Sequence, residues 1–213
     1  MHLPCFIGAK MNFEDAKTEL RALIVDAAQI YSAHLAGKCY LYVYGDEHFE
    51  VVFRTGSFLH LTGVYSSLKA ADFYHKAKNR TLAVEQFDFS HGHSIRNARK
   101  KLPCLLRLPE MTNSTVCVLK DVQTESVLLK IALSNLDFTL GLVKDEKTIP
   151  SHPVYVPQTM RVKDKSIERS GQAEFIDFVF MRQYGENLYT TRTFCDSSKT
   201  IPLSIESMIN LSE

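Results

Sequence analysis

A chain of 213 residues, 45% hydrophobic and 23% charged, can bury a substantial core and reads as one globular domain rather than a disordered segment. Its 25 Lys and Arg stand against 24 Asp and Glu, a formal net charge of +1, so a polyanion would have to be held by a local basic patch and not by a global field. No run approaches the roughly 18 to 20 apolar residues of a membrane span, and "MHLPCFIGAK" lacks the basic start and long apolar stretch of an export signal, so a soluble, unexported chain is expected.

"NFEDAKTELRALIVDAAQIYSAHLAGK" predicts a helix. Asn12 is the cap candidate with Asp15 three residues on, Ala16, Leu20, Leu23, Ala27, Ile30 and Tyr31 recur at helical spacing, and Gly37 and Lys38 end the run. "KCYLYVYGDEHFEVVFR" predicts two strands joined by a hairpin turn at Gly45-Asp46-Glu47. In the next stretch, "FRTGSFLHLTG", His60 lies among apolar residues. On spacing alone it reads as a hydrogen-bonded packing histidine, with Thr62 and Gly63 as a turn into the next helix and Thr62 outside that helix. That helix is predicted in "SSLKAADFYHKAKNR", with Ser66 or Ser67 as cap. "HGHSIRNARKKLPCLLRLPEM" then predicts a basic helical turn closed near Pro103 and an apolar segment closed near Pro109.

Arg96, Arg99, Lys100, Lys101 and Arg107 form the densest positive cluster of the chain. From about residue 115 the pattern becomes strand-like: "STVCVLKD", "SVLLKIAL", "LDFTLGLVKD", "HPVYVPQTMRVKD", "EFIDFVFMRQY" and "NLYTTRTF" are short and rich in β-branched and aromatic residues. Turn chemistry joins them in "DEKTIPSHP", "KDKSIERSGQ" and "YGEN". Helices first and antiparallel strands later predict an α+β fold.

Five scattered cysteines, Cys5, Cys39, Cys104, Cys117 and Cys195, form no C-x-x-C pair and read as reduced small hydrophobes. His91 and His93 have a spacing that on an extended segment would suit a metal, but no third ligand lies nearby and no metal is expected. The P-loop, dinucleotide, zinc-peptidase and nucleophile-elbow patterns are absent, so no cofactor is expected either. "HLT" at 60–62 fits one H-x-[ST] unit of a two-histidine phosphodiesterase, but the second unit is missing.

Taken in order, "FEVVFRTGSFLHLTGV", "AADFYHKA", "LDFTLGLVKD", "HPVYVPQTMRVKD" and "EFIDFVFMRQYGENLY" resemble the fourth phage-encoded group of Barnase/EndoU/colicin/RelE-like nucleases. The combination of "FLHLTG" with "YVPQTM" is the most specific part. Two departures stand out: Thr159 replaces the family's serine but keeps a hydroxyl, and Arg182 replaces a lysine but keeps the charge. The resemblance spans roughly residues 38–195, which implies a single domain over 1–213 with a helical arm at 1–37, a nuclease-like core at 38–195 and a C-terminal tail at 196–213.

The resemblance implies an α+β fold with N-terminal helices packed on a twisted antiparallel sheet and the active groove on the sheet face, and a metal-independent endoribonuclease in the bacterial host cytoplasm, cleaving tRNA or mRNA by attack of a 2'-hydroxyl on the adjacent phosphorus. Such a reaction needs a base, an acid and cations for the phosphoryl oxygens. The implied catalytic residues are His60, Thr159 and Arg182. Arg54, Tyr189, His91 and Lys101 are implied to bind substrate, Tyr189 by stacking or donation and Lys101 within a basic segment that follows the RNA backbone. The implied partners are RNA and either an inhibitor or immunity protein or a host defence protein, with no membrane. The same sequence also fits a non-cleaving relative that binds RNA or a host defence protein.

Overall fold

The computed structural model describes residues 13–123, 128–145, 153–163 and 173–211. The Asn12 cap, Cys5 and most of the "DEKTIPSHP" and "KDKSIERSGQ" turns lie outside these residues.

The first helix, α1 (Phe13–His34), buries Ala16, Leu20, Ile24, Ala27, Ala28 and Tyr31 along one stripe. Gly37 follows with φ of 76°, the left-handed conformation that ends helices. The hairpin forms as predicted, β1 (Lys38–Tyr44) against β2 (Glu47–Val52), antiparallel, with Gly45 in its turn.

The histidine stretch departs from expectation. It forms a six-residue helix, α2 (Ser57–Thr62), that includes Thr62, and Gly63 caps it with φ of 78°. Thr62 Oγ1 donates to the Leu59 carbonyl at 2.7 Å, so the hydroxyl serves the helix end instead of a turn outside it. Next come α3 (Ala70–Lys78), α4 (Ile95–Leu106) and α5 (Glu110–Asn113). Ser94 caps α4 by accepting from the Asn97 amide. This helix does not close near Pro103 but runs through it. Pro103 faces solvent, so the missing N–H costs one hydrogen bond without leaving a buried orphan.

The strands that follow are β3 (Cys117–Gln123), β4 (Leu128–Ser134), β5 (Phe138–Lys144), β6 (Val154–Val162), β7 (Ala173–Phe175), β8 (Phe178–Gln183) and β9 (Thr191–Cys195). "EFIDFVFMRQY" thus holds two strands, β7 and β8, separated by Ile176 and Asp177. One nine-stranded sheet results, in the order β7-β3-β4-β5-β6-β2-β1-β8-β9. The fold is α+β, but the sheet is mixed: β2 pairs with β6 in parallel through Glu50–Val154 and Val51–Tyr155, and the other pairings are antiparallel. The two segments lie about a hundred positions apart in sequence, so local pattern carries no trace of their direction of pairing.

Strand alternation gives the sheet two faces. Tyr40, Tyr42, Tyr44, Phe49, Val51, Phe53 and Val179 join α1 and α4 in the main core. Cys39, Leu41, Val43, Glu50, Val52, Phe178, Phe180 and Arg182 therefore point the other way. On that side a second cluster gathers Leu41, Val43, Phe178, Phe180, Tyr189 and Ile205, and a third gathers Cys39, Val52 and Val154. Ile205 comes from a 3-10 segment, Leu203–Met208, so the predicted tail closes over the sheet.

Candidate functional site

Beyond β2 the chain turns into α2 through Arg54. Its carbonyl accepts from the Tyr31 hydroxyl of α1 at 2.8 Å and from the Ser57 amide at 3.1 Å. Arg54 and His60 thereby face one open pocket of about 430 Å³, completed by Thr55, Gly56, Ser57, Ala70, Val156, Pro157 and Gln158. The Arg54 guanidinium binds the Asp145 carboxylate at 2.5 Å. Asp145 is almost wholly buried, whereas about a third of the Arg54 side chain stays exposed.

His60 is exposed at the pocket mouth, yet desolvation by the surrounding chain, and then the nearby His93, hold its imidazole below the ordinary pKa. At neutral pH it is therefore uncharged and able to take a proton. His93 is followed directly by Ser94 and so does not form an H-x-[ST] unit.

Thr159 lies on β6 one residue beyond Gln158, where the β5–β6 register slips between Gly141 and Leu142. Met160 points into the main core, so Thr159 alternates to the other face, where it is half-buried. It does not line the His60 pocket, although its neighbour Gln158 does.

Arg182 and Tyr189 stand together elsewhere on that face. Arg182 donates to Glu50 Oε2 through Nε at 3.1 Å and through Nη2 at 2.6 Å, and through Nη1 to the Glu186 carbonyl. The Tyr189 hydroxyl donates to the same Glu50 oxygen, and its ring lies 5.3 Å from the guanidinium carbon. Burial pulls the Arg182 guanidinium down, but Tyr189, Cys39 and Glu50 together hold it above its ordinary value. Burial and Glu50 push the Tyr189 hydroxyl well up, so it remains a proton donor. With only 1% of its surface exposed, Tyr189 has no face to offer a base.

The two groups share one surface. Arg182 pairs with Cys39 and Cys39 with Val52, and Arg54 follows two residues on, so about 12 Å separates the Cα atoms of Arg54 and Arg182 by strand geometry. Cys39 lies buried between them, its thiol pushed up to about 12 by burial and Glu50 against the opposing pull of Arg182 and Arg54.

His91 and Lys101 do not line the His60 pocket. His91 is exposed at φ of 53°, stacks on Tyr65 at 4.2 Å and bonds Ser90 Oγ at 2.7 Å. Lys101 is half-buried on α4, its pKa lowered by burial and then by Arg161. Its stem packs over Gly63, where an added Cβ would meet Lys101 Cδ at 2.9 Å. The basic segment is partly neutralised, Arg99 by Glu19 and Arg107 by Glu110 and Asp137. Among the described residues no group of three or more histidine, cysteine or acidic side chains converges on a possible metal position, and no helix is long and apolar enough to cross a membrane.

The model of the phage-Barnase-EndoU-ColicinE5/D-RelE like nuclease 4 family matches residues 23–198. The chain belongs to this family. No curated protein and no solved structure matches it. The match begins inside α1, so the part of that helix that carries Tyr31, whose hydroxyl bonds the Arg54 carbonyl, lies within the matched residues.

Sequence reasoning missed Glu50, Asp145 and Gln158. Glu50 had a legible signal, a lone carboxylate between Phe49 and Val51 in an apolar strand, which requires a buried partner. Its partners lie 132 and 139 positions away, so nothing local named them.

Proposed function

We propose that the protein is a metal-independent endoribonuclease that cleaves RNA by attack of a 2'-hydroxyl on the adjacent phosphodiester, in a groove that starts at the pocket between α2 and β6 and continues onto the sheet face that carries Arg182. The observation that carries this reading is the pocket in which a neutral, solvent-reachable His60 stands beside the Arg54 guanidinium. His60 takes the 2'-hydroxyl proton as general base, the P–O5' bond breaks as the 2',3'-cyclic phosphate forms, and the leaving 5'-oxygen takes its proton from solvent, while Arg54 holds a phosphoryl oxygen and Asp145 fixes its orientation. Thr159 is the hydrogen-bond donor farther along β6. Arg182, held rigid by Glu50 and Tyr189, contacts the phosphoryl charge at the far end of the groove. His91 and Lys101 guide the flanking backbone.

Host RNA, or the RNA of a competing element in the bacterial cytoplasm, is the proposed substrate, and a cell that carries such an enzyme would need an inhibitor protein. The test is incubation of the pure protein with total bacterial RNA in EDTA, followed by end mapping. Discrete 2',3'-cyclic phosphate ends that vanish in His60→Ala are expected; intact RNA at high protein concentration would refute cleavage.

One observation favours a second reading, an RNA-binding relative that does not cleave. Arg54 and Arg182 are each engaged by a buried carboxylate, Asp145 and Glu50, which offsets the charge they can offer a phosphate. This reading predicts retained RNA and tolerated expression, whereas a nuclease arrests growth.

A further inference from the structure

The assignment of base stacking to Tyr189 fails on burial, yet a groove for a nucleic acid needs an aromatic platform beside its cations. The hairpin between β8 and β9 supplies another. Tyr184 follows Arg182 by two residues and is 64% exposed. Its amide donates to the Gly37 carbonyl at 2.8 Å, which continues the β8–β1 ladder one step past Lys38–Gln183. On the other side the Gly37 amide donates to the Phe53 carbonyl at 3.1 Å while the Phe53 amide donates to the Lys38 carbonyl at 3.1 Å, so Gly37 and Lys38 share Phe53 as partner in a bulge and Arg54 is the residue that follows.

Tyr184, Gly37 and the Phe53–Arg54 step therefore form one row across three strands; Phe53 turns into the main core, and Arg54 and Tyr184, two residues beyond Val52 and Arg182, take the face that carries Arg182 and Glu50. The central position has no side chain. Gly37 sits at φ of 76°, and among the described residues nothing lies within 4 Å of where its Cβ would be. Two strand spacings make the row roughly 10 Å wide from Cα to Cα, with an aromatic wall on one side, a guanidinium on the other and bare backbone as the floor. The wall is held firmly. The Glu186 carboxylate accepts from the Gln183 amide at 3.0 Å, the Glu186 amide donates to the Gln183 carbonyl at 3.1 Å, and Arg182 donates to the Glu186 carbonyl.

We infer that Tyr184 and Gly37 form a nucleobase slot next to Arg54, which takes one unstacked base of a single-stranded RNA against the tyrosine ring while Arg54 holds a neighbouring phosphate. The inference rests on the reading of this face as an RNA groove. It names the substrate as single-stranded, because a base inside a duplex cannot present its face to Tyr184. The slot reads the π-face of the base, so it tolerates different bases and adds affinity more than sequence choice.

The test compares His60→Ala, which keeps the RNA intact during measurement, with His60→Ala carrying Tyr184→Ala or Tyr184→Phe. Each is titrated with a mixed-sequence single-stranded RNA 12-mer and with an abasic ribose-phosphate strand of equal charge. Tyr184→Ala is expected to weaken binding of the base-bearing strand roughly 5- to 150-fold, with no change on the abasic strand and with Tyr184→Phe at the parent affinity. Thermal melting of each variant checks that the exposed substitution leaves the fold intact. Equal affinity of Tyr184→Ala and parent, or an equal loss on both strands, would overturn the slot while wild-type cleavage left the nuclease reading standing. A parent that binds neither strand, together with a wild type that cleaves no RNA, would remove both.

Discussion

His60 and Glu50 show how two ionisable side chains on neighbouring elements take opposite parts. His60 ends a short helix at an open pocket, where desolvation and His93 hold it below its ordinary value near 6.5. A base must be deprotonated to act, so kcat/KM should rise with pH through a midpoint under 6.5 and level off before neutrality. His60→Ala should remove that limb and cost about 10²- to 10⁴-fold in rate. A rate that instead falls as pH rises through this range would assign His60 the acid role. Glu50 is 2% exposed and receives two donors from Arg182 and one from Tyr189. Glu50→Ala would strand the guanidinium, whose side chain is only 17% exposed, and should lower the free energy of unfolding by about 3 to 5 kcal/mol in urea titration. An unchanged urea midpoint would mean that Arg182 finds water or another acceptor.

At the scale of elements, α4 offers a direct test because it carries Pro103 against the usual rule. The residue is exposed, so alanine there adds an amide donor and better helix propensity without disturbing the core. Pro103→Ala should stabilise the protein by about 1 to 3 kcal/mol, read as a raised urea midpoint at constant slope; a lowered midpoint would mean that the helix needs the bend. Elements with many periods were legible in the sequence: α1 shows about four turns of apolar spacing, and β1–β2 has alternation around a glycine turn. Short or long-range features were not. The six residues of α2 hold too few turns to separate a helix from an apolar loop, and the parallel β2–β6 contact depends on chain reversal far from either strand. The site divides likewise. His60 and Arg54 are six residues apart and meet because a turn and a short helix separate them, whereas Glu50, Asp145 and the Tyr184–Gly37–Arg54 row exist only once the sheet is assembled.

Across the whole molecule, the sheet is sealed on its helical face by α1 and α4 and on part of the other by the C-terminal segment. Ile205 is fully buried against Leu41, Val43, Phe178 and Phe180, with Ile201, Met208 and Ile209 packed around them. The same segment grips the chain at the groove, because the Tyr189 amide donates to the Met208 carbonyl and the Asn210 amide to the Tyr189 carbonyl, each at 2.9 Å. The residues beyond 195 thus hold the backbone of the tyrosine whose hydroxyl fixes Glu50 and, through it, Arg182. Ile205→Ala removes three methyl or methylene carbons from a packed cluster and should cost about 2 to 5 kcal/mol, with a lowered urea midpoint and an unchanged slope. Because the cluster abuts Tyr189 and not α2, the loss should reach Arg182 before His60. RNA binding measured in rising urea should therefore lose its Arg182-dependent part at concentrations where the His60 pocket is still intact, as read by Arg182→Ala and Arg54→Ala in the Ile205→Ala background. Simultaneous loss of both contributions would instead make the sheet and its C-terminal cover one cooperative unit.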